Sequence, residues 1–364
     1  MHLSITSALV AVGGATAASA YTVGSTVQTD LLAAQALANQ TAYHQQHGGS
    51  TACTVQTPLG SLSGAERIAY TNAVKCLMAK PALLDPVEFP GSRTRYDDFV
   101  AVHVAQTFEI HSTASFLSWH WYFTWAYEQA LRKECGYNGY QPYWNWGKDA
   151  HDPLNSPIFD GGATSMPGNG EFYPHNCTGA LPTGERDCIP PGNSGGCVTS
   201  GPFADMVVNL GPIGPSLAVD NNPFSQWSTD AETYDLLEGG GYSDILSFQN
   251  HMQGDFPNGY FGVHSTGHYT IGGDPGGDFF TSPGDPSFWL YHGQIDRVWW
   301  IWQNLYPANR TVAVAGGMSL LDPAGPQGTL EDPVNVSPSE DIITILNAMS
   351  TLGREGSPFC YIYA

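Results

Sequence analysis

Six of the twelve histidines in this 364-residue chain form two groups of three with orderly spacing. In the second group, a helix would place His264 and His268 on one face, about 6 Å apart along its axis. Neutral imidazole binds copper, zinc, iron and nickel, whereas magnesium and calcium prefer oxygen ligands. A lone histidine on an apolar face is normally a core residue, but two such triplets among aromatic side chains predict a dinuclear copper or zinc site. The predicted ligands are His103, His111, His120, His264, His268 and His292.

These histidines lie in or beside segments that the sequence predicts to be helical. Ser63 and Glu66 have the spacing of a capping box, and Pro81 closes the helix that they begin. Asp285 and Pro286 have the pattern of an N-cap followed by proline at the first helical position. Each triplet therefore comes from two consecutive helical segments. The predicted helices are 30–47, 61–79, 97–111, 115–135, 230–252, 262–270 and 285–306.

The composition indicates a folded protein and excludes two classes of partner. Hydrophobic residues make up 42% of the chain, which excludes disorder driven by composition. Lys and Arg number 12 against 33 Asp and Glu, a net charge of −21, which argues against nucleic acid and against an anionic membrane surface. Residues 151–230 are rich in Gly, Pro and Asn and predict a long loop region pinned by a disulfide.

The first twenty residues resemble a secretory signal peptide that ends at Ala18-Ser19-Ala20, although a buried N-terminal strand is the alternative. No later stretch is apolar for the roughly 18 residues that a transmembrane helix needs. The seven cysteines form no CxxC pair and predict up to three disulfides with one unpaired thiol. We therefore expect a secreted, extracellular protein. Four Asn-x-Ser/Thr triplets offer glycan sites, at Asn39, Asn176, Asn309 and Asn335.

Around the histidines the chain resembles the type-3 dinuclear copper proteins, which are the tyrosinases, catechol oxidases and hemocyanins. The resemblance covers about residues 60–305. It is carried by the copper-A segments 96–103 and 116–123 with Glu128, by Pro142-Tyr-Trp-Asn-Trp146, and by the copper-B segments His264-x3-His268 and 277–299. Residues 65–77 are similar to the helix that precedes copper A in fungal members, and Tyr361-Ile-Tyr363 resembles the tyrosine motif that closes the catalytic domain.

The resemblance implies a fold and a cofactor. The fold is mainly α, an antiparallel four-helix bundle that holds two copper ions on the six histidines, with long disulfide-pinned loops and little β structure. Residues 21–364 would form one type-3 copper catalytic domain after the signal peptide of residues 1–20. No C-terminal lid domain is expected.

Several neighbours of the histidines have expected roles. Asp296, four residues after His292, would hold that ring or its helix, or else form an ordinary helical pair. Phe288, one turn before His292, would pack on a ligand ring, as a core aromatic would in any case. Phe279 stands where plant catechol oxidases carry a gate phenylalanine over copper A. Ser265 and Tyr269 complete the predicted substrate pocket.

Three positions depart from the family pattern. Glu109 replaces the cysteine that many members link to a ligand ring, so no thioether forms at that position. Ser265 stands where tyrosinases active on monophenols often have Asn, working with a water-holding Glu. That acid has three candidate positions here, Glu238, Gln253 and Asp255. Tyr291 stands where members often carry a second histidine. The first two departures favour o-diphenol oxidation over monophenol hydroxylation.

The expected function is the oxidation of o-diphenols to o-quinones with reduction of dioxygen to water, extended to o-aminophenols and to weak monophenol hydroxylation. The partners are then a phenolic small molecule and dioxygen, and a homo-oligomer is compatible with the sequence. The alternatives are a full tyrosinase and a hemocyanin-like dioxygen carrier. A dizinc hydrolase is disfavoured because the motifs include no carboxylate, and a metal-free helical binding protein is disfavoured by the paired triplets.

Overall fold

The computed structural model describes residues 24–48, 52–168, 170–172, 196–212 and 225–363. Half of the structure is helical and 7% is strand, which confirms the predicted mainly α fold. The helices are α1 Val27–His47, α2 Gly64–Ala79, α3 Arg95–Ile110, α4 Phe116–Cys135, α5 Trp146–Asp149, α6 Asp230–Tyr234, α7 Ile245–Gln253, α8 Gly262–Ile271, α9 Ser287–Leu305 and α10 Pro307–Arg310. The strands are β1 Thr54–Gln56, β2 Pro333–Val334, β3 Ile343–Thr344 and β4 Tyr361–Tyr363.

Four helices, α3, α4, α8 and α9, form the bundle that carries the histidines, with α4 packed on α3 and α9 and with α8 packed on α9. Every residue of α9 is buried, because α1 covers the face of α9 that the other bundle helices leave open. The core between these helices is aromatic. Its largest fully buried side chains include Trp119, Trp121, Trp289, Trp299, Trp300 and Trp302.

Local sequence signals set several helix ends. Ser63 accepts a hydrogen bond from the Glu66 N–H and completes the predicted capping box of α2. Thr94 and Asp97 form a second capping box at the start of α3. Gly136, with φ +67°, ends α4 in the left-handed conformation that glycine adopts without strain.

Two predicted helices differ from the observed ones. The segment 230–252 is not continuous, because α6 and a π turn over Asp235–Gly239 end in three consecutive glycines before α7 begins at Ile245. In the second case α9 begins at Ser287, and Asp285 lies just before the helix, where its carboxylate accepts the Ser287 N–H at 2.8 Å. Proline at 286 is tolerated there because the first helical N–H groups have no partner within the helix.

The disulfides tie helices and chain ends together. Cys53–Cys360 joins the parallel pair β1 and β4, and Cys76–Cys135 joins α2 to the end of α4. Within the described parts of 151–230 the only helical turns before α6 are Pro153–Asn155 and Ser225–Ser228, so the predicted loop region is observed there. The predicted disulfide in that loop stays a prediction, because Cys177 and Cys188 lie outside the described residues. The third cysteine of the loop, Cys197, is exposed and unpaired.

The signal-peptide prediction falls on residues 1–20, which lie outside the described part of the chain. Over the described ranges, no helix combines the length and apolar character that crossing a bilayer requires.

Candidate metal centre

The structure gathers each histidine triplet into a compact group. In both groups, one nitrogen from each ring lies within 4.8 Å of the nitrogens of the other two. The first group takes His103 from α3, His111 from the residue that follows α3, and His120 from α4. The second group takes its two helical neighbours from α8 and His292 from α9. Five of the six rings are buried, and His268 is half-buried.

The two groups face each other across the bundle. The His120 and His292 rings are stacked, with centroids 4.7 Å apart and an interplanar angle of 19°. The His264 ring lies 6.2 Å from the His111 ring and 6.5 Å from the His120 ring. A small molecule bound between the groups would therefore contact both of them.

Backbone carbonyl groups orient four of the rings. Because a carbonyl oxygen only accepts, the Nδ1 atom of each of these rings must carry the proton, so the lone pair that can bind a metal is on Nε2. The bonds run from His103 to Phe280 O at 2.7 Å, His111 to Thr107 O at 2.9 Å, His120 to Phe116 O at 2.8 Å and His268 to Gly276 O at 3.4 Å. Such support for the second ring nitrogen is usual for histidines that bind metals.

The surroundings of the Nε2 atoms show whether the site suits a metal. Those of His103, His120 and His292 are buried and have no hydrogen-bond partner among the described residues. Burying an unpaired polar atom costs roughly 1–3 kcal/mol, which coordination to a metal ion would offset. The donor set is imidazole alone, which suits copper and excludes a preference for magnesium or calcium.

Burial also keeps the six imidazoles neutral. It lowers the pKa of every one of them, to about 4 for His111 and to about 3 for His268. Repulsion from neighbouring histidines lowers the pKa of His103, His120, His264 and His292 further. Near neutral pH the six lone pairs are therefore available without the loss of a proton.

Aromatic side chains enclose the histidines. Phe288 stacks on His292 with ring centroids 4.0 Å apart, and Phe116 lies 4.9 Å from His264. Phe279 is half-buried and lies 4.6 Å from His111, on the copper-A side where the resemblance expects it. Its role as a gate stays a prediction.

Gln253 connects the two halves of the site. Its side-chain oxygen accepts the N–H of Ser112, the residue after His111, at 2.8 Å. Its backbone oxygen accepts the Ser265 hydroxyl at 2.6 Å. Of the three candidate positions for a water-holding group, Gln253 alone is buried, since Glu238 and Asp255 are exposed.

Asp296 and Tyr269 pack against other parts of the chain, and the pocket role of Tyr269 stays a prediction. Asp296 makes no hydrogen bond to His292 in the described part of the chain, where neither ring nitrogen of His292 has a partner. The reason is that helical side chains lean toward the N terminus, so the His292 ring lies over Phe288. Asp296 instead lines a small buried pocket with Glu128 and the tyrosines of β4, where burial raises its pKa. Tyr269 packs on Phe261, at 5.5 Å between ring centroids, in a small separate cluster.

Tyr291 has a role that its type alone did not indicate. Its hydroxyl donates to the backbone oxygens of Val263 and His264, and its ring lies 5.0 Å from the His268 ring. A Cβ at Gly267 would clash with the Tyr291 ring, so only glycine allows α8 and α9 to approach this closely. The sequence contains one signal of this close helix contact, because Gly267 lies between the two predicted ligands of α8.

The comparison with known protein families identifies the fold. Residues 93–305 match the common central domain of tyrosinase. The chain belongs to the tyrosinase family. The matched range contains all six histidines, and the two triads of this tyrosinase-family chain are positioned for a dinuclear copper site.

Known relatives and a solved structure agree with this assignment. Tyrosinase P of Aspergillus terreus is 38% identical over 335 residues, which cover 84% of this chain and 90% of the relative. The N-acetyl-6-hydroxytryptophan oxidase ivoB of Emericella nidulans is 32% identical over 345 residues, covering 85% and 92%. The structure of a polyphenol oxidase variant from Thermothelomyces thermophila superposes with a TM-score of 0.85 at 38% identity, covering 94% of this chain and 98% of that one.

Proposed function

We propose that this copper oxidase converts o-diphenols to o-quinones while reducing dioxygen to water, with o-aminophenols as further substrates. The proposal rests on the observation that two triads made only of imidazoles face each other in an aromatic enclosure. Each catechol loses two electrons and two protons, so two catechols reduce one dioxygen to two waters. Two copper ions bound there would supply the exchange of electrons between substrate and dioxygen.

The residues of the chain have three tasks in this reaction. The Nε2 atoms hold the metal, and the carbonyl oxygens that accept from Nδ1 keep the rings in place. Phe116, Phe288 and Phe279 keep bulk water from the triads. The half-buried side chains of His268, Phe279 and Ser265 mark the side from which substrate enters.

The environment of Gln253 supports a preference for diphenols over monophenols. A monophenol must lose its proton before it binds a metal as phenolate, and a carboxylate beside the site would accept that proton. Here the buried candidate is a neutral amide, and the Ser265 hydroxyl is already engaged with its backbone oxygen. We infer that o-diphenols are the main substrates and that monophenols are hydroxylated slowly.

The distribution of charge supports a substrate without a carboxylate. The sequence contains no Lys or Arg between Arg186 and Arg297, a stretch that carries thirteen Asp and Glu and supplies α8, Phe279 and the start of α9. On α4 the first cation, Arg132, lies twelve residues after His120, about 18 Å along the helix. Arg297 is buried and paired with Asp30. Neutral and cationic catechols are therefore favoured.

A direct test measures copper content and substrate oxidation together. The chain loaded with copper should hold two copper ions and should consume dioxygen with 4-methylcatechol at least tenfold faster than with 4-methylphenol. Equal rates on both phenols would favour a full tyrosinase. Reversible uptake of dioxygen without any quinone would favour the hemocyanin-like carrier and would overturn the proposal.

We also propose that the chain is secreted. The support is the pattern of residues 1–20, together with two disulfides in the described structure, since disulfides persist mainly in oxidising compartments. Expression of the full chain in a fungal host tests this proposal. The protein should appear in the medium with its N terminus at or near Tyr21, and retention of the intact chain inside the cells would contradict it.

A further inference from the structure

We propose that Asn309 carries an N-linked glycan whose first N-acetylglucosamine packs against Tyr306. The inference rests on the proposed secretion, because this modification is made in the secretory pathway. Its chemistry is a group transfer in which Asn309 Nδ2 loses one proton and bonds to the sugar C1 atom. The bond between C1 and the diphosphate oxygen of the lipid-linked oligosaccharide donor breaks, and nothing is oxidised or reduced.

Three of the four candidate asparagines lie in the described residues, and their surroundings differ. Asn39 lies in the middle of α1, where it is half-buried and its Nδ2 atom donates to Leu305 O of α9 at 3.0 Å. A sugar on that nitrogen would have to lie between two helices that pack on each other. The folded chain therefore excludes a glycan at Asn39.

Asn309 has the opposite environment. It is exposed on the one-turn helix α10, and its side-chain amide forms no hydrogen bond within the described structure. Its backbone N–H donates to Tyr306 O at 3.2 Å, and the Arg310 N–H donates to the same oxygen at 3.0 Å. This turn brings residues 306 and 309 to the same part of the surface, where both line one groove.

Tyr306 is unusual because 53% of this large aromatic side chain is exposed. One face of its ring is covered by the Arg310 guanidinium, whose central carbon lies 4.5 Å from the Tyr306 ring centre and 4.3 Å from that of Trp302. A hydrogen bond from Arg310 Nη1 to Trp302 O at 2.9 Å holds the guanidinium in place. The ring is therefore fixed in orientation and half open to solvent.

Tyr306 borders a surface groove of about 300 Å³, lined also by Glu238, Tyr242, Ser243, Asn309 and Arg310. This groove combines an aromatic face for the apolar face of a pyranose ring with a carboxylate and a hydroxyl for its polar groups. A sugar attached to Asn309 Nδ2 starts at the edge of this groove. The groove, the orientation of Tyr306 and the unpaired amide together distinguish Asn309 from Asn39 and Asn335, the other two candidate sites in the described structure.

The test is a glycosylation map of the secreted protein. The full chain is produced in a glycosylating fungal host, both with its own first twenty residues and with the host's secretion signal in their place. Enzymatic removal of the glycans in ¹⁸O-water converts each modified Asn to labelled Asp. We expect the label at Asn309 and none at Asn39, and an unlabelled Asn309 or a labelled Asn39 overturns the assignment.

The packing on Tyr306 has its own readout. Deglycosylation should lower the Tm of the wild type by about 1–2 °C, because the unfolding entropy of a chain of this size is large and one surface contact shifts its Tm only slightly. In Tyr306→Ala, deglycosylation should no longer lower the Tm, while the label at Asn309 remains. Asn335→Gln is the matched control, since Asn335 is an exposed asparagine in another triplet. In this variant deglycosylation should still lower the Tm as it does in the wild type. An equal fall in Tm for Tyr306→Ala would overturn the packing.

Discussion

Phe288 precedes His292 by one turn of α9, and their rings are stacked at 26° with centroids 4.0 Å apart. His292 is also the one ligand of the six whose two ring nitrogens are both buried and unpaired over the described residues. Packing, rather than a hydrogen bond, therefore holds this ring toward the other ligands.

Phe288→Ala should loosen His292 and weaken copper binding by the second triad. Losing the support of a ligand typically lowers metal affinity about 10–100-fold. Copper content after dialysis against a weak chelator should fall from two ions toward one per chain.

The matched control for that substitution is Phe248→Ala. Phe248 is fully buried on α7 and stacks on Trp302, far along α9 from the ligands. Both substitutions should cost about 3–5 kcal/mol of stability, but only Phe288→Ala should lose copper. Equal copper loss in both variants would show that general destabilisation is the cause.

Gln253→Glu should raise the ratio of monophenol to diphenol oxidation by about tenfold, because a carboxylate accepts a proton that the amide does not. The side-chain oxygen that accepts from Ser112 is kept. The bond from the side-chain nitrogen to Gln249 O is lost, so the Tm should fall slightly.

The quantity to measure for this variant is kcat/KM for 4-methylphenol and for 4-methylcatechol. Gln106→Glu, a similar change at a half-buried residue of α3, is the control and should leave the ratio unchanged. A ratio that stays constant in Gln253→Glu would show that Gln253 does not restrict monophenols.

Catechols of different charge should react in the order cationic, neutral, anionic. At low salt, kcat/KM for dopamine should exceed that for 3,4-dihydroxyphenylacetate by about tenfold. The ratio should shrink in 1 M salt, where the Debye length falls from about 30 Å at 0.01 M to about 3 Å.

Asp274 is a suitable residue for testing this order. It is exposed in the loop between His268 and Phe279, where partial desolvation and the nearby Asp278 raise its pKa. Asp274→Asn should reduce the ratio of kcat/KM for dopamine to kcat/KM for 3,4-dihydroxyphenylacetate. Glu88→Gln, at an exposed loop position before α3, should leave this ratio unchanged. A ratio insensitive to salt would contradict the electrostatic account.

Asp285 should make stability depend on pH. Burial raises its pKa to about 6, so its folded-state pKa lies above that of the unfolded chain. The stability that its protonated form contributes is fully present below the unfolded pKa near 4, and it is lost as the pH rises through 6. Asp285→Asn keeps an oxygen for the Ser287 N–H but does not ionise.

This variant should therefore gain about 2–3 kcal/mol of stability relative to the wild type at pH 7 and almost none at pH 4. The measurement is the free energy of unfolding of the copper-free proteins by urea at both pH values. Both proteins contain the same histidines, so the effect of histidine titration cancels in the difference between their free energies of unfolding. That difference therefore reports Asp285 alone. A difference that is the same at both pH values would contradict the assigned ionisation.

Local sequence determined the parts of the site that depend on neighbours in the chain. The ligand types, the i,i+4 pair on α8, the capping box of Ser63 and Glu66 and the end of α4 at Gly136 all follow from residues a few positions apart. The predicted bundle follows from the same patterns, combined with the resemblance to the family. Where local signals were weak, as at the glycines after residue 238, a predicted continuous helix was wrong.

The tertiary structure decided what depends on distant parts of the chain. The carbonyl that orients His103 belongs to Phe280, 177 residues away, and Gln253 reaches Ser112 across 141 residues. The same is true of the pairing of Cys53 with Cys360 and of the burial of Asp296 beside β4 rather than against His292. Sequence by itself determined the six ligands and their helices, because helical spacing is local. Ring orientation, burial and pKa came from packing, because they depend on which distant surfaces meet.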